Sequence, residues 1–268
     1  MRAGIIAAGW GERLGQKMPK ALTPVGGRAL IDYTLDGLEA AGVTSVTCIV
    51  NEAARAVPEY VAQSGRKLPI DWIIQTTPSS MHSFLIVLER LAKSKDPFYF
   101  MTTVDSVCPP HAYRVFVETC QLFPEADVCL GLTSHIDDEN PLRVAMHGEE
   151  STGLMPERVS DNPDAFEIVA MTNTGFDSEY ITAGFYGASP RILQEKEKVL
   201  SGDFTALRQY LGYLLKYGYR FYGVPLPPVV DVDRPQDVVK AEEFLRASCT
   251  VDRAHESEHG ARITEHAK

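Results

Sequence analysis

The opening segment constrains this chain most: an apolar run, Ala3-Gly4-Ile5-Ile6-Ala7-Ala8, passes directly into a loop carrying Gly9, Gly11 and Gly15. Such a run reads as a first β-strand, and glycines placed after it let backbone N–H groups approach a phosphate chain without interference from side chains. Arg13 adds a planar cationic fork to the loop, and Lys20, following Met18-Pro19, adds a compact positive charge. The fold that places a strand and a phosphate-binding loop in this order is an open α/β sheet.

The following pattern agrees. Short apolar runs near Ala3–Ala7, Ser45–Val50, Ile70–Gln75, Phe98–Thr103 and Asp127–Leu132 alternate with helical periods, as in successive βαβ units. Leu30–Ala41 sets Ile31, Thr34, Leu35, Leu38 and Ala41 on one helical face, and Met81–Ala92 does the same with Phe84, Leu85, Leu88 and Leu91. The expectation is a Rossmann-like α/β fold, a mostly parallel mixed sheet flanked by helices, occupying residues 1–249. Within it, residues 134–180 are polar and weakly periodic, which predicts an irregular, β-rich insertion. Further along, strands are expected at Ile181–Tyr186 and Arg220–Val224, with helices at Pro190–Leu200, Thr205–Tyr217 and Pro235–Ala247. Residues 250–268 hold almost no large apolar groups and read as a disordered tail.

Composition narrows the partners. A formal charge of −10 argues against broad nucleic-acid binding but leaves room for an anionic substrate in a locally cationic cleft. No apolar run is long enough to span a bilayer, so neither a membrane nor a signal peptide is expected, and a cytoplasmic location follows. Cys48, Cys108, Cys120, Cys129 and Cys249 form no CxxC pair and read as reduced, buried thiols. The histidines His82, His111, His135 and His147 have no partners at metal-ligand spacing.

The segment Gly4-Ile-Ile-Ala-Ala-Gly-Trp-Gly-Glu-Arg-Leu-Gly15, with Met18-Pro19-Lys20-Ala21-Leu22, resembles the signature G-x-x-A-A-G-x-G-x-R-L/M-G-x-x-x-P-K-x-L of the NTP-transferase family. That family holds sugar-1-phosphate pyrophosphorylases, cytidylyltransferases and the guanylyltransferase of molybdenum-cofactor synthesis. The resemblance implies a nucleotide bound across the carboxyl edge of the sheet, with the Ala7, Ala8 and Gly9 backbone near the base. It places Gly11 and Arg13 near the β and γ phosphates and Lys20 near the α phosphate. It also implies an Asp after the fourth strand, here Asp105, and a late segment D-x-D-T-P-E-D-L, here Asp231-Val-Asp-Arg-Pro-Gln-Asp237. By position Asp233 is the second Mg²⁺ contact. Asp231, pointing the opposite way on a strand, is the second choice. Asp105 and Asp233, each following a short apolar strand, should be delivered to the same edge of one parallel sheet. Plain structural roles compete with both readings: Asp105 as a cap of the helix beginning near Pro109, Asp233 as the N-cap of the last helix.

Two weaker matches complete the pattern. Gln75 and Ser80 occupy the place where the family reads the base, although Ser79 and Ser80 replace its Gly and Thr. Gly184, in Thr182-Ala-Gly-Phe-Tyr186, resembles the glycine of the Asn-x-Gly-Ile-Tyr strand that lines the family's sugar pocket, with Ala183 just before it and no Asn at the sugar-contacting position. The resemblance therefore implies transfer of NMP from an NTP to a small phosphorylated acceptor, most simply a sugar 1-phosphate, with release of pyrophosphate and Mg²⁺ as cofactor. A homo-oligomer is compatible with this reading. Other functions have weaker support. Gly9, Gly11 and Gly15 also spell the opening of an NAD(P)-binding motif, but the second strand ends at Asn51 where that motif wants an acidic residue. A non-catalytic nucleotide sensor would not need the Lys and both aspartates.

Overall fold

In the computed structural model, which describes residues 1–134, 141–146, 166–173 and 178–247, the elements follow the expected alternation. The first half contains β1 (Arg2–Ala7), a small hairpin of β2 (Pro24–Val25) and β3 (Arg28–Ala29), and α1 (Leu30–Ala40). It continues with β4 (Ser45–Val50), α2 (Ala56–Gln63), β5 (Ile70–Ile74), α3 (Ser80–Ala92), β6 (Tyr99–Thr103), the short β7 (Ser106–Val107) and α4 (Pro110–Cys120). The second half supplies β8 (Val128–Thr133), β9 (Arg143–Met146), β10 (Ile168–Thr172), β11 (Ile181–Ala188), α5 (Lys196–Leu200), α6 (Leu207–Lys216), β12 (Phe221–Pro225) and β13 (Val230–Asp231). A last helix, α7, covers 235–247.

The sheet runs β5-β4-β1-β6 in parallel, and β11 then pairs antiparallel to β6. β8 lies antiparallel to β11, and β12 lies parallel to β8. β9 and β10 pair antiparallel within the polar 134–180 stretch, joined to the sheet where Arg143 meets Ile181. Residues 135–140, 147–165 and 174–177 of that stretch and the 250–268 tail lie outside the described residues. After β5 the chain crosses to the other side of β1 to make β6, so the carboxyl ends of β1 and β6 open a crevice between them, where open α/β sheets bind ligands.

Alternation along β1 builds both faces. Ala3, Ile5 and Ala7 join the core beneath α1 and α4, whereas Ile6 joins the core beneath α3 and α6. Gly4 faces α3, where a Cβ would stand 2.5 Å from the Met101 sulfur and 2.5 Å from Val87. A third, smaller core gathers Leu14, Val25, Leu30, Val107, Val230, Val232 and Ala241, with Val238, Phe244 and Leu245 of α7 packed against it. That cluster binds the glycine-loop region, the β2–β3 hairpin, the β7–β13 ribbon and α7 to one another. The region expected as a single helix over Pro190–Leu200 begins as a 3₁₀ turn, Pro190–Glu195, before α5. The four described cysteines are buried free thiols, and Cys249 lies outside the described residues. Among the described residues no helix is long and apolar enough to cross a membrane.

Two helical glycines make opposite predictions from their surroundings. A Cβ on Gly37 of α1 would stand 2.2 Å from the Tyr113 ring on α4, so Gly37→Ala forces the two helices apart and is expected to destabilise by about 1–3 kcal/mol. Gly212 of α6 has nothing within 4 Å of that position, so Gly212→Ala should stabilise by up to about 1 kcal/mol through helix propensity. Urea midpoints of the two variants check the pair, and shifts of the same sign would contradict this account of the α1–α4 contact.

Candidate active site

At the crevice the glycine loop is held by backbone geometry. Gly11, at φ 66°, precedes a 3₁₀ turn, Glu12–Leu14, that ends at Gly15, φ 64°. These left-handed values favour glycine. A Cβ on Gly11 would stand 3.1 Å from the Lys20 Cβ, so the missing side chain also lets the loop pack on the lysine stem. Ala7 ends β1 as a buried residue, and the Ala8 carbonyl accepts from Asn51 Nδ2 at 3.3 Å. Gly9 is exposed at the turn.

Lys20 begins a second 3₁₀ turn, Lys20–Leu22, and its side chain is only 8% exposed. Its Nζ donates to Asp105 Oδ2 at 2.5 Å and also contacts Asp233 Oδ1, while Arg13 Nη1 donates to Asp233 Oδ2 at 3.2 Å. Asp105, Asp231 and Asp233 each bring a carboxylate oxygen within 4.8 Å of the others. Burial opposes the charged form of Lys20, but the neighbouring Asp105, Asp231 and Asp233 outweigh it and hold the ammonium pKa above its ordinary value. Burial likewise pushes the Asp105 carboxyl up, and the charge and hydrogen bond of Lys20, with the Thr103 hydroxyl, bring it below the usual range.

The two aspartates meet by a different route from the one the strand pattern predicts. Asp105 follows β6 of the main sheet, but Asp233 follows β13, which pairs with β7 in a separate antiparallel ribbon, Val230 opposite Val107 and Asp231 opposite Ser106. The Val232 N–H donates to the Asp105 carbonyl at 3.1 Å, fastening the late segment beside the fourth-strand turn. Asp231 is not turned away from Asp233: residues two apart on an extended segment share a face, and with Val230 and Val232 buried in the third core both aspartates face the crevice. Its carboxylate joins the cluster as a third acidic group. Neither capping alternative describes the contacts: Asp233 spends its carboxylate on Lys20 and Arg13, and Asp237 Oδ2 instead accepts from the backbone N–H of Asp233 at 3.1 Å and of Arg234 at 2.8 Å.

From the aspartates an open cleft of roughly 410 Å³ extends past Gly184 and Tyr186 to Arg234 and Lys240. Gly184 sits in an irregular step of β11 at φ 73°, where a Cβ would stand 2.2 Å from Ser106 Oγ and 2.6 Å from Thr103 Oγ1. Its role is to let β11 pass close to the turn that carries Asp105. Gln75 is exposed at the end of β5, and Ser80 begins α3 with its Oγ accepting from the Leu207 N–H at 3.5 Å. Sequence reasoning missed the cationic residues Arg234 and Lys240, although the departure of Arg234 from the Thr of the resembling segment was legible.

The donor set suits a hard divalent cation: all the groups are carboxylate oxygens, close enough to share one ion, and their field already stabilises a buried ammonium. Lys20 and a metal ion therefore compete for the same oxygens. The lowered Asp105 pKa contributes stability above the unfolded value of about 3.9, lost as pH falls through the folded value; the raised Lys20 pKa contributes below about 10.4, lost only as pH rises through its higher folded value. Lys20→Met is expected to lower stability at pH 7 by about 3 kcal/mol, the low end for breaking a buried pair because Asp233 is 38% exposed. That deficit should narrow on acidification below pH ~4, as the stranded carboxylates protonate. Added Mg²⁺ should raise the melting temperature of Lys20→Met more than that of the parent, and an equal response would show that ammonium and ion do not compete.

Known proteins resemble the chain in sequence and in fold. A CMP-5'-(3-aminopropyl)phosphonate synthase of Streptomyces rubellomurinus is 34% identical over 114 residues, covering 41% of this chain and 18% of that protein. A mannose-1-phosphate guanyltransferase of Candida albicans is 23% identical over 261 residues, 93% of this chain and 64% of that protein. The chain spans less than half the length of the first curated relatives it matches, at 18%, 40% and 31%. Among solved structures, the inositol-1-phosphate CTP transferase from T. maritima superposes with a TM-score of 0.68 at 20% identity, covering 88% of this chain and 90% of that one, which shows a shared fold. The family model of the MobA-like NTP transferase domain matches residues 3–146, more than half of the chain, and the chain belongs to that family.

Proposed function

We propose that the chain is a nucleotidyltransferase that moves NMP from an NTP to a small phosphorylated acceptor, most simply a sugar 1-phosphate, and releases pyrophosphate. The observation that carries this is the joining of Lys20 and Arg13, from the glycine-loop region, to three aspartates at the crevice between β1 and β6. In the reaction an acceptor phosphate oxygen forms a bond to the α-phosphorus as the bond from that phosphorus to the β-phosphate oxygen breaks. A phosphate monoester has a second pKa near about 6 and is already largely dianionic at neutral pH, so no protein base has to remove a proton.

The protein's task is then to position two mutually repelling anions and to neutralise charge on the reacting and leaving oxygens. Arg13 and Lys20, now bound to carboxylates, exchange them for phosphate oxygens when the nucleotide enters. Asp105 and Asp233, with Asp231 beside them, would hold Mg²⁺, which supplies charge neutralisation at the α-phosphoryl and leaving groups. The exchange links the two ligands: phosphates draw the cations away as the carboxylates become available. Gln75 and Ser80, at the carboxyl end of β5 and the start of α3, are the candidates for contact with the base, and Ala7, Ala8, Gly9 and Gly11 for backbone contact with the nucleotide. Gly184 and the 134–180 stretch belong to the acceptor side.

Pyrophosphate release tests the reading, with CTP and GTP leading the NTP panel because those nucleotides figure in the names of the relatives. Lys20→Ala is expected to lower turnover by about 10² or more. Asp105→Asn and Asp233→Asn should each reduce turnover and raise the Mg²⁺ requirement, with the double variant far less impaired than the product of the two, as groups sharing one ion are non-additive. Multiplicative losses at an unchanged Mg²⁺ requirement would show that the two carboxylates do not act through a common ion.

A further inference from the structure

One wall of the cleft that the aspartates line carries two further cations, Arg234 and Lys240. Helix α7 turns Val238, Ala241, Phe244 and Leu245 onto the third core, which leaves positions 236 and 240 on its other face. Gln236, Asp237 and Lys240, with Arg234 at the entry to the helix, accordingly line the cleft. The Asp237 carboxylate accepts from the backbone at the helix start through Oδ2, and its Oδ1 lies 4.0 Å from Lys240 Nζ, a pair that an entering phosphate would have to loosen. Thr103, Ser106, Thr182 and Tyr186 bring hydroxyls to the same cleft, and burial, then Asp105 and Asp231, raise the Tyr186 phenol, so it remains a neutral donor.

This wall departs from the segment it resembles. Where D-x-D-T-P-E-D-L carries Thr and Glu, the chain carries Arg234 and Gln236, so one positive charge is gained and one negative charge is lost. Arg13 and Lys20 are committed to the aspartates and, on the reading above, to the triphosphate. An acceptor dianion arriving in the same cleft is repelled by that triphosphate and needs cations of its own.

We propose that Arg234 and Lys240 form an anion subsite that takes the phosphate monoester group of the acceptor, while the hydroxyl-bearing side chains face the acceptor's own hydroxyls. The assignment rests on the nucleotidyltransferase reading and deepens it: the acceptor is a polyhydroxylated phosphomonoester, held by residues separate from those that hold the nucleotide.

Calorimetric titration of the full chain with inorganic phosphate and with glucose 1-phosphate, without nucleotide, tests the subsite independently of turnover. The parent should bind both probes saturably, and glucose 1-phosphate more tightly than inorganic phosphate. Arg234→Thr combined with Lys240→Met should weaken binding by about tenfold or more, whereas Arg234→Lys, which keeps the charge, should retain most of it. Equal affinity in the parent and the double variant, or no saturable binding to the parent, overturns the subsite. Where turnover is measured, the double variant should raise the acceptor KM about tenfold and leave the NTP KM near that of the parent. A raised NTP KM with an unchanged acceptor KM would assign the two cations to the triphosphate and overturn the proposal. If no substrate pair releases pyrophosphate while the binding difference holds, the reaction fails and the subsite stands.

Discussion

Burying the Lys20 ammonium is tolerable only because Asp105 and Asp233 contact it and Asp231 adds its charge, and meeting that condition draws distant segments of the chain to one point. Lys20 comes from the turn after the glycine loop, Asp105 from the end of β6, and the other two aspartates from the β13 segment near the end of the described chain. Each partner alone would be a poorly compensated charge beside an apolar core. Together they form a neutralising cluster that also presents the charges needed by a nucleotide and its metal ion. Fold stability and the proposed chemistry thus draw on the same contacts, and binding becomes an exchange of partners in which no buried charge is left uncompensated.

The cluster is aimed by apolar packing. Leu14 follows Arg13 directly, Val25 and Leu30 flank the β2–β3 hairpin, Val107 lies beyond Asp105, and Val230 and Val232 alternate with the late aspartates. Their burial in one small core fixes the backbones from which the charged groups project. The core costs the site little freedom and supplies the preorganisation that electrostatic catalysis requires. Helix α7 closes this core with one face and borders the cleft with the other, so one element both stabilises the site and shapes what can enter it.

Much of the architecture was legible because the main sheet obeys local rules. The apolar runs at Ser45–Val50 and Ile70–Ile74 and the helical stripe at Leu30–Ala40 stand within a residue of their expected limits. Asp231 read as pointing away from Asp233, yet residues two apart on a strand share a face, so alternation correctly applied puts both carboxylates on the side opposite Val230 and Val232. The rules failed where non-local pairing took over. The strand pattern assigned Asp233 to the parallel sheet, because a run of two paired residues carries no sign of its partner or direction. Gly184, read as part of a sugar pocket, lines the cleft, and its positive φ with the close approach of Ser106 and Thr103 adds a backbone reason for glycine that sequence position does not reveal.

The sequence by itself determined the α/β alternation, the glycine-rich turn from Gly9 to Gly15 and the identity of Arg13, Lys20, Asp105 and Asp233 as the charged residues to watch, since these follow from periodicity and from short local motifs. Tertiary structure alone decided that Lys20 bridges two of the aspartates, that Asp231 joins them, and that Arg234 and Lys240 share their cleft. The physical reason is range: hydrophobic period acts over neighbouring residues, whereas the meeting of charges separated by 85 and 213 positions depends on how the β7–β13 ribbon and the third core pack.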